Sequence, residues 1–252
     1  MIDIIEVILS FSAMISMLLL AGLFLYAAIK FFRIWIKFRE ESIFHIGMLS
    51  SGMVLYFLIV MLMVEFAQDS EITLFIIKRV IGIAYSILSL EMSLFYVTAF
   101  INRRTLWEKY IPFLFGITTG TSFAMLGMSE TDPWFSILLL ITYLTPLILI
   151  TILTIRIVLR CYHLLQEDKL TSEDRGFLKT LAGTAIILFM GAIGDLSFYS
   201  IIILVGAELW PTIVFFAGIL APVTVIIAVF LIRTIFINIE EADILHLMNL
   251  LS

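Results

Sequence analysis

Two acidic side chains, Glu91 and Asp195, interrupt long apolar runs, where an ionisable group is energetically costly. Glu91 lies in the middle of an apolar segment over 73–101, and Asp195 lies in the middle of another over 178–206. A low-dielectric environment favours the protonated form of a carboxyl group, which can then donate a hydrogen bond. Acids in such positions are typical of proton relays, ligand sites and hydrogen bonds between helices.

Helical periodicity places further polar groups beside these acids. At about 100° per residue, two tyrosines and a serine share one face of the third apolar segment, and Glu91 projects from another face. The six candidate ligand-binding residues are Glu91, Tyr85, Ser89, Tyr96, Asp195 and Tyr199. We expect them to line a cavity for a small ligand, a proton or a lipid headgroup. The alternative is that they only join helices, with each hydrogen bond contributing about 1 kcal/mol or less.

The segments that carry these residues are long enough to cross a membrane. The chain is 62% hydrophobic and 14% charged, with a mean hydropathy of +1.16. A hydrocarbon core needs about 20 apolar residues per helix. Seven stretches meet this requirement, at approximately 5–29, 43–66, 73–101, 110–128, 134–159, 178–206 and 211–234. The predicted fold is an all-α, polytopic membrane protein with a seven-helix bundle over 1–235 and a cytoplasmic amphipathic tail over 236–252.

Charge is sorted between the two sets of connections. All 15 Lys and Arg residues except Lys78 and Arg79 fall in one set of gaps, which we call the basic side, and the other set carries only acids. Because basic flanks stay in the cytoplasm, we predict a multi-pass cell-membrane protein with its N-terminus outside and its C-terminus in the cytoplasm. Lys78 and Arg79 are expected to extend outward and pair with Glu65 or Glu71.

Several chemistries lack the residues that they need. His45, His163 and His246 all fall at cytoplasmic ends or in the tail, so no span offers paired imidazoles for haem or zinc. The seventh segment has no lysine for a retinal Schiff base. Nucleophile-elbow, zinc-protease and phosphate-loop motifs are absent from the sequence. We therefore expect no enzyme activity, no catalytic residues, no cofactor and no metal, and we find no sign of nucleic-acid binding.

Part of the sequence resembles a known family. Over 78–117, an aromatic-rich third segment is followed by a basic loop with Arg103, Arg104 and Trp107, and the next helix is entered through Pro112. This pattern resembles the seven-helix sensor region of bacterial and archaeal histidine kinases, as do residues 177–199 and 225–238. The family's usual prolines in the third helix are absent. The resemblance implies that the bundle senses a signal, but the sequence contains no kinase domain.

The tail is the predicted contact for an output protein. Its apolar positions Ile237, Ile244, Met248 and Leu251 recur at helical spacing beside a short acidic run. We expect the tail to bind a cytoplasmic signalling protein, a membrane-complex subunit or a second copy of the chain as a homodimer; folding back on the bundle is the alternative. The predicted function is a receptor-like sensor in the lipid bilayer. Two competing hypotheses are that the chain is a small transporter or channel, or that it is a structural subunit of a membrane complex.

Overall fold

The computed structural model describes residues 2–65, 75–100, 106–129, 131–166, 170–172, 174–183, 185–186, 189, 222–227 and 229–230. These residues are almost entirely helical, and they contain no strand. Five α-helices are bounded as α1 Ile2–Phe38, α2 Glu41–Glu65, α3 Gly82–Ala99, α4 Ile111–Ala124 and α5 Pro133–Leu165. A π-helical turn, Ile76–Ile81, precedes α3, and 3-10 turns at Leu106–Tyr110 and Met125–Gly127 flank α4.

Within the described residues, five helical segments are long and apolar enough to cross a membrane. They are Val7–Phe38, Glu41–Leu62, Arg79–Ala99, Glu108–Gly127 and Pro133–Leu165. They coincide with the first five predicted spans, so the sequence prediction of long apolar helices is confirmed for this part of the chain. The sixth and seventh predicted spans, and the boundary between bundle and tail at 235, lie largely or wholly outside the described residues.

Two helices run well past the apolar stretches predicted for them. α1 continues to Phe38, although its predicted span ends at 29, and α5 continues to Leu165, although its predicted span ends at 159. The added turns contain Lys and Arg, which are good helix formers. The charged residues therefore mark the end of the predicted apolar span, but the helix continues through them with its backbone hydrogen bonds intact. Both extensions project from the same end of the bundle.

The reversal between α1 and α2 takes only Arg39 and Glu40. Arg39 has a positive φ of 58°, and its N–H donates to the Trp35 carbonyl at 2.7 Å. Its guanidinium lies 5.1 Å from the Trp35 ring centre, and that ring packs 5.0 Å from the ring of Phe44 on α2. A left-handed conformation is costly for a residue with a side chain, so the cation–π contact helps to offset the strain of this turn.

Successive helices run in opposite directions, and α3 is central among them. α3 packs against α2, α4 and α5. Of its 18-residue apolar stretch 56% is buried, compared with 22–39% in the other four spans. The third helix therefore has neighbours on more than one side. We call the end at which α1, α3 and α5 finish the basic end, because it carries the Lys- and Arg-rich connections.

Arg79 lies at the opposite end and joins α3 to α4. Its guanidinium donates to the Met128 carbonyl at 2.8 Å and more weakly to the Leu126 carbonyl at 3.5 Å, and it lies over the rings of Phe75 and Phe135. A cation at the C-terminal end of a helix is favourable for the helix dipole. The structure thus gives Arg79 partners that the sequence did not predict. The side chains of Lys78, Glu65 and Glu71 lie outside the description.

A seam of small polar side chains runs between α3, α4 and α5. The hydroxyls of Ser86 and Ser122 lie 2.8 Å apart, and the Ser122 hydroxyl is 3.3 Å from that of Thr142. The Thr142 hydroxyl in turn lies 3.4 Å from the sulfur of Met125. Gly82 packs so closely here that an added Cβ would lie 2.8 Å from the Thr142 methyl carbon. The hydroxyls fix the orientation of Thr142, and the glycine permits the close approach.

Thr171 and Asp174 cap the start of the next helix on the basic side. The Asp174 N–H donates to the Thr171 hydroxyl at 3.1 Å, and the Thr171 N–H donates to the Asp174 carboxylate at 3.1 Å. This reciprocal pair has the geometry of a capping box. The helix therefore begins at residue 172, well before the apolar span predicted over 178–206.

Removal of this cap gives a first testable result. We expect Thr171→Ala to lower the free energy of unfolding by about 1 kcal/mol, because the Asp174 N–H loses its acceptor. Thermal unfolding of the detergent-purified chain measures the change. Thr171→Ser keeps the hydroxyl and is the matched control. Equal stability of the alanine and serine variants would contradict the capping role.

Candidate functional site

His45 on α2 and Glu91 on α3 form a polar pair between two apolar helices. The Nδ1 atom of His45 lies 2.9 Å from Oε2 of Glu91, and the side chains are 16% and 15% exposed. The residues are 46 positions apart in sequence. The antiparallel packing of α2 on α3 brings them together, and further along the same two helices the rings of Tyr56 and Tyr85 are in contact, with 5.6 Å between their centres.

The pair lies in the basic half of the bundle. His45 is four residues, or about 6 Å, beyond the start of α2 at Glu41. Glu91 is eight residues, or about 12 Å, before the end of α3 at Ala99. The sequence predicted that Glu91 lies in the middle of its helix, and the structure shows this. It did not predict that His45, near the start of α2, is its partner. The pair therefore lies closer to the basic end of the bundle than to the opposite end.

The chemistry available to this pair is proton exchange and polar ligand binding. Imidazole and carboxyl groups can each bind and release a proton, and each can form a hydrogen bond with a polar ligand. The pair is an ion pair when His45 is protonated and Glu91 is ionised, and it is a hydrogen bond without paired charges in the other states. The two states differ in how strongly they hold α2 against α3. A cationic or hydrogen-bonding ligand would compete for the same carboxylate.

The three remaining predicted residues on α3 occupy different levels of the helix. Tyr85 is buried and packs edge-to-face on Tyr56. Ser89 is also buried, and its hydroxyl donates to the Tyr85 carbonyl at 2.7 Å. Tyr96 is fully buried near the basic end. Tyr85 and Tyr96 are about 16 Å apart along the helix.

Tyr96 also belongs to a cluster around Glu108, which sequence reasoning missed. Its hydroxyl donates to Oε1 of Glu108 at 3.0 Å. Arg156 and Arg160 approach the same carboxylate, with Nε to Oε1 at 3.6 Å and a terminal nitrogen to Oε2 at 3.8 Å. Glu108 is fully buried, while the arginine side chains are 37% and 22% exposed. We call these four residues the Glu108 cluster.

A signal for this cluster was present in the sequence. Arg156 and Arg160 are four residues apart and therefore share one face of α5. Glu108 is the acid in an otherwise basic connection that holds Arg103, Arg104 and Lys109. On their own, the arginines indicate only the topology of the chain. The acid that faces them identifies a packed polar site as well.

The rest of the predicted site lies outside the described residues. This applies to Asp195, Tyr199 and the tail over 236–252. In the part of the chain that the structure describes, no group of three or more His, Cys, Asp or Glu side chains could hold a metal ion. The six-residue ligand site therefore stays a prediction. Of its members, Glu91 lies beside His45.

Comparison with known proteins adds no family or fold assignment. The chain matches no protein-family model, no curated protein and no solved structure. The functional argument accordingly depends on the geometry of the described residues and on the charge pattern of the sequence.

Proposed function

We propose that the chain is a seven-helix membrane sensor, with its N-terminus outside and its C-terminus in the cytoplasm, that signals to a separate cytoplasmic partner. The five long apolar helices support insertion in a bilayer, and the basic connections at one end support the orientation. The basic end is then the cytoplasmic end. The predicted spans over 178–206 and 211–234 complete the proposed bundle.

The His45–Glu91 pair is the observation that carries the proposal. Ionisable side chains within a membrane bundle are costly, and they commonly mark ligand or proton sites. This pair joins α2 to α3 in the bundle interior at 2.9 Å. A structural role alone would be served as well by apolar side chains, since hydrogen bonds between membrane helices contribute about 1 kcal/mol or less. The pair therefore suits a contact that is made and broken.

Helix α3 links this contact to the basic end. Glu91 and Tyr96 are five residues, or about 7.5 Å, apart on α3, and Tyr96 hydrogen-bonds to the Glu108 cluster. A proton or ligand that binds one state of the His45–Glu91 pair more tightly would favour one position of α3 relative to α2. The same displacement would alter the contact of Tyr96 with Glu108. The signal would leave through the cytoplasmic partner, for which the tail over 236–252 is the proposed contact.

Neutralising either side of the pair tests this function. Full-length protein in nanodiscs is screened by thermal unfolding against pH between 5.5 and 8 and a panel of small polar solutes. We expect at least one of these conditions to shift the unfolding temperature of the wild type, and we expect His45→Gln and Glu91→Gln to abolish that shift. The two substitutions should show a coupling of about 1 kcal/mol in a double-mutant cycle.

The control and the competing function are tested with the same preparations. Glu41→Gln removes an exposed acid from the first turn of α2 and should leave the response unchanged. If both pair variants respond as the wild type does, the proposed mechanism is wrong. Solute uptake into proteoliposomes that requires Glu91 would instead favour the transporter.

A further inference from the structure

Contacts between α1 and α2 fix the depth of His45 in the bundle. Phe44, which precedes His45, packs on Trp35 with 5.0 Å between the ring centres. On the other side of His45, a Cβ added at Gly47 would lie 3.0 Å from a carbon of the Phe32 ring. Because the two helices are antiparallel, His45 is level with the stretch of α1 from Phe32 to Trp35.

This stretch of α1 has the character of a membrane interface. Arg33 is exposed on it, and a cation exposed to the hydrocarbon core of a bilayer is costly. Lys30 and Lys37 lie about one turn away on either side of Arg33. Trp35 is partly buried, and tryptophan is common at the headgroup level. The imidazole of His45 is therefore level with the headgroups at the basic end.

Towards the opposite end, α2 and α3 are in direct contact. An added Cβ at Gly52 would lie 2.8 Å from a methyl carbon of Leu88, so the two helices touch there. Beyond this contact, the buried rings of Tyr56 and Tyr85 pack edge-to-face, with 5.6 Å between their centres. The two contacts lie about 10.5 Å and about 16.5 Å from His45 along α2. A solute that came between α2 and α3 from this end would have to separate both.

The pair itself keeps some accessible surface. The side chains of His45 and Glu91 are 16% and 15% exposed, although they contact each other at 2.9 Å. A short distance separates them from the headgroup level, whereas packed side chains separate them from the opposite end. The shortest route for a polar solute therefore starts at the basic end.

We propose that water and polar solutes reach the His45–Glu91 pair from the basic end of the bundle, and that the contacts between α2 and α3 close the route from the opposite end. As a statement about the ligand of the sensor, this inference rests on the proposed function and its orientation. The ligand is then a proton or a polar solute of the cytoplasm, and a polar solute outside the cell does not reach the pair.

Cysteine accessibility tests the direction of entry. Cys161 is the single cysteine of the chain, so Cys161→Ser gives a full-length background without thiols. His45→Cys and Glu91→Cys in this background are treated with a cationic, membrane-impermeant methanethiosulfonate in right-side-out and in inside-out membrane vesicles. Glu41→Cys at the start of α2 and Ser129→Cys beyond α4 mark the two ends of the bundle, because both positions are exposed.

The pair variants should react from the basic end. We expect His45→Cys and Glu91→Cys to react at least about tenfold faster in the vesicles in which Glu41→Cys reacts, since a charged reagent crosses the hydrocarbon core poorly. Ser86→Cys, at a fully buried position, should react slowly in both kinds of vesicle. Ile46→Cys keeps both members of the pair and should show the same preference, so it replaces the pair variants if they do not fold.

Two results would overturn the proposal. One is faster reaction of the pair variants in the vesicles in which Ser129→Cys reacts. The other is a rate no higher than that of Met48→Cys, whose exposed apolar side chain faces lipid in an inserted bundle. Labelling does not require sensing. Labelling from the basic end, in a protein that does not respond to pH or solutes, would support this inference and count against the sensor.

Discussion

Glu108→Gln is expected to lower the free energy of unfolding by about 3 kcal/mol. Glutamine keeps the volume of the side chain and an oxygen for the Tyr96 hydroxyl, so the substitution removes the charge alone. Arg156 and Arg160 then face each other across a fully buried neutral group. Removal of one member of a buried ion pair costs about 3–5 kcal/mol, and the partial exposure of the arginines places this case at the lower end.

Chemical unfolding of the full-length protein in mixed micelles measures this loss. Glu41→Gln is the matched control, because Glu41 is exposed and its neutralisation should cost about 0.5 kcal/mol through the helix dipole. Combining Glu108→Gln with Arg160→Gln should recover part of the stability, since one uncompensated cation is removed as well. A loss no greater than that of the control would mean that the carboxylate does not hold the cluster together.

Gly82→Val is expected to cost about 2 kcal/mol by separating α3 from α5. An added Cβ would lie 2.8 Å from the Thr142 methyl carbon, which is shorter than a normal contact. Thr142 cannot turn away easily, because its hydroxyl lies within hydrogen-bonding distance of Ser122 and Met125. Overpacking of this kind costs about 1–3 kcal/mol in a well-packed interior.

Gly120→Val on α4 is the control for the same change of residue. A Cβ at Gly120 would meet nothing within 4 Å, so this variant should stay within about 0.5 kcal/mol of the wild type. The clash at residue 82 can also be relieved by shortening the Thr142 side chain, which it contacts. Thr142→Ser keeps the hydroxyl and removes the methyl group, and it should restore stability to the Gly82→Val protein. Equal unfolding free energies for the two valine variants would show that α3 and α5 have room to separate.

Hydropathy was sufficient to predict α1 to α5 because each helix must present about 20 apolar residues to lipid. It could not predict where the helices end. Backbone hydrogen bonding continues through Lys30 and Arg33 in α1, and through Arg156 and Arg160 in α5, because basic residues are compatible with helix. The capped start of the next helix was likewise hidden in a polar connection, where only the spacing of Thr171 and Asp174 indicated it.

The candidate site was less predictable because it depends on pairs across helices. Periodicity assigned Glu91 to a face of its own helix, but no local pattern relates it to His45, which is 46 residues away. Glu108 was overlooked for a similar reason, since its partners Arg156 and Arg160 come from a distant helix. Register between antiparallel helices supplies this information, and it is set by packing contacts such as that of Gly82 with Thr142.

Because only Arg39 and Glu40 connect α1 to α2, the two helices cannot move far apart at this end. In a bilayer the two helices would therefore have to insert together, as one helical hairpin. The same short connection, with Arg39 on Trp35 and Trp35 on Phe44, links the position of the charged extension of α1 to that of the first two turns of α2, where His45 lies.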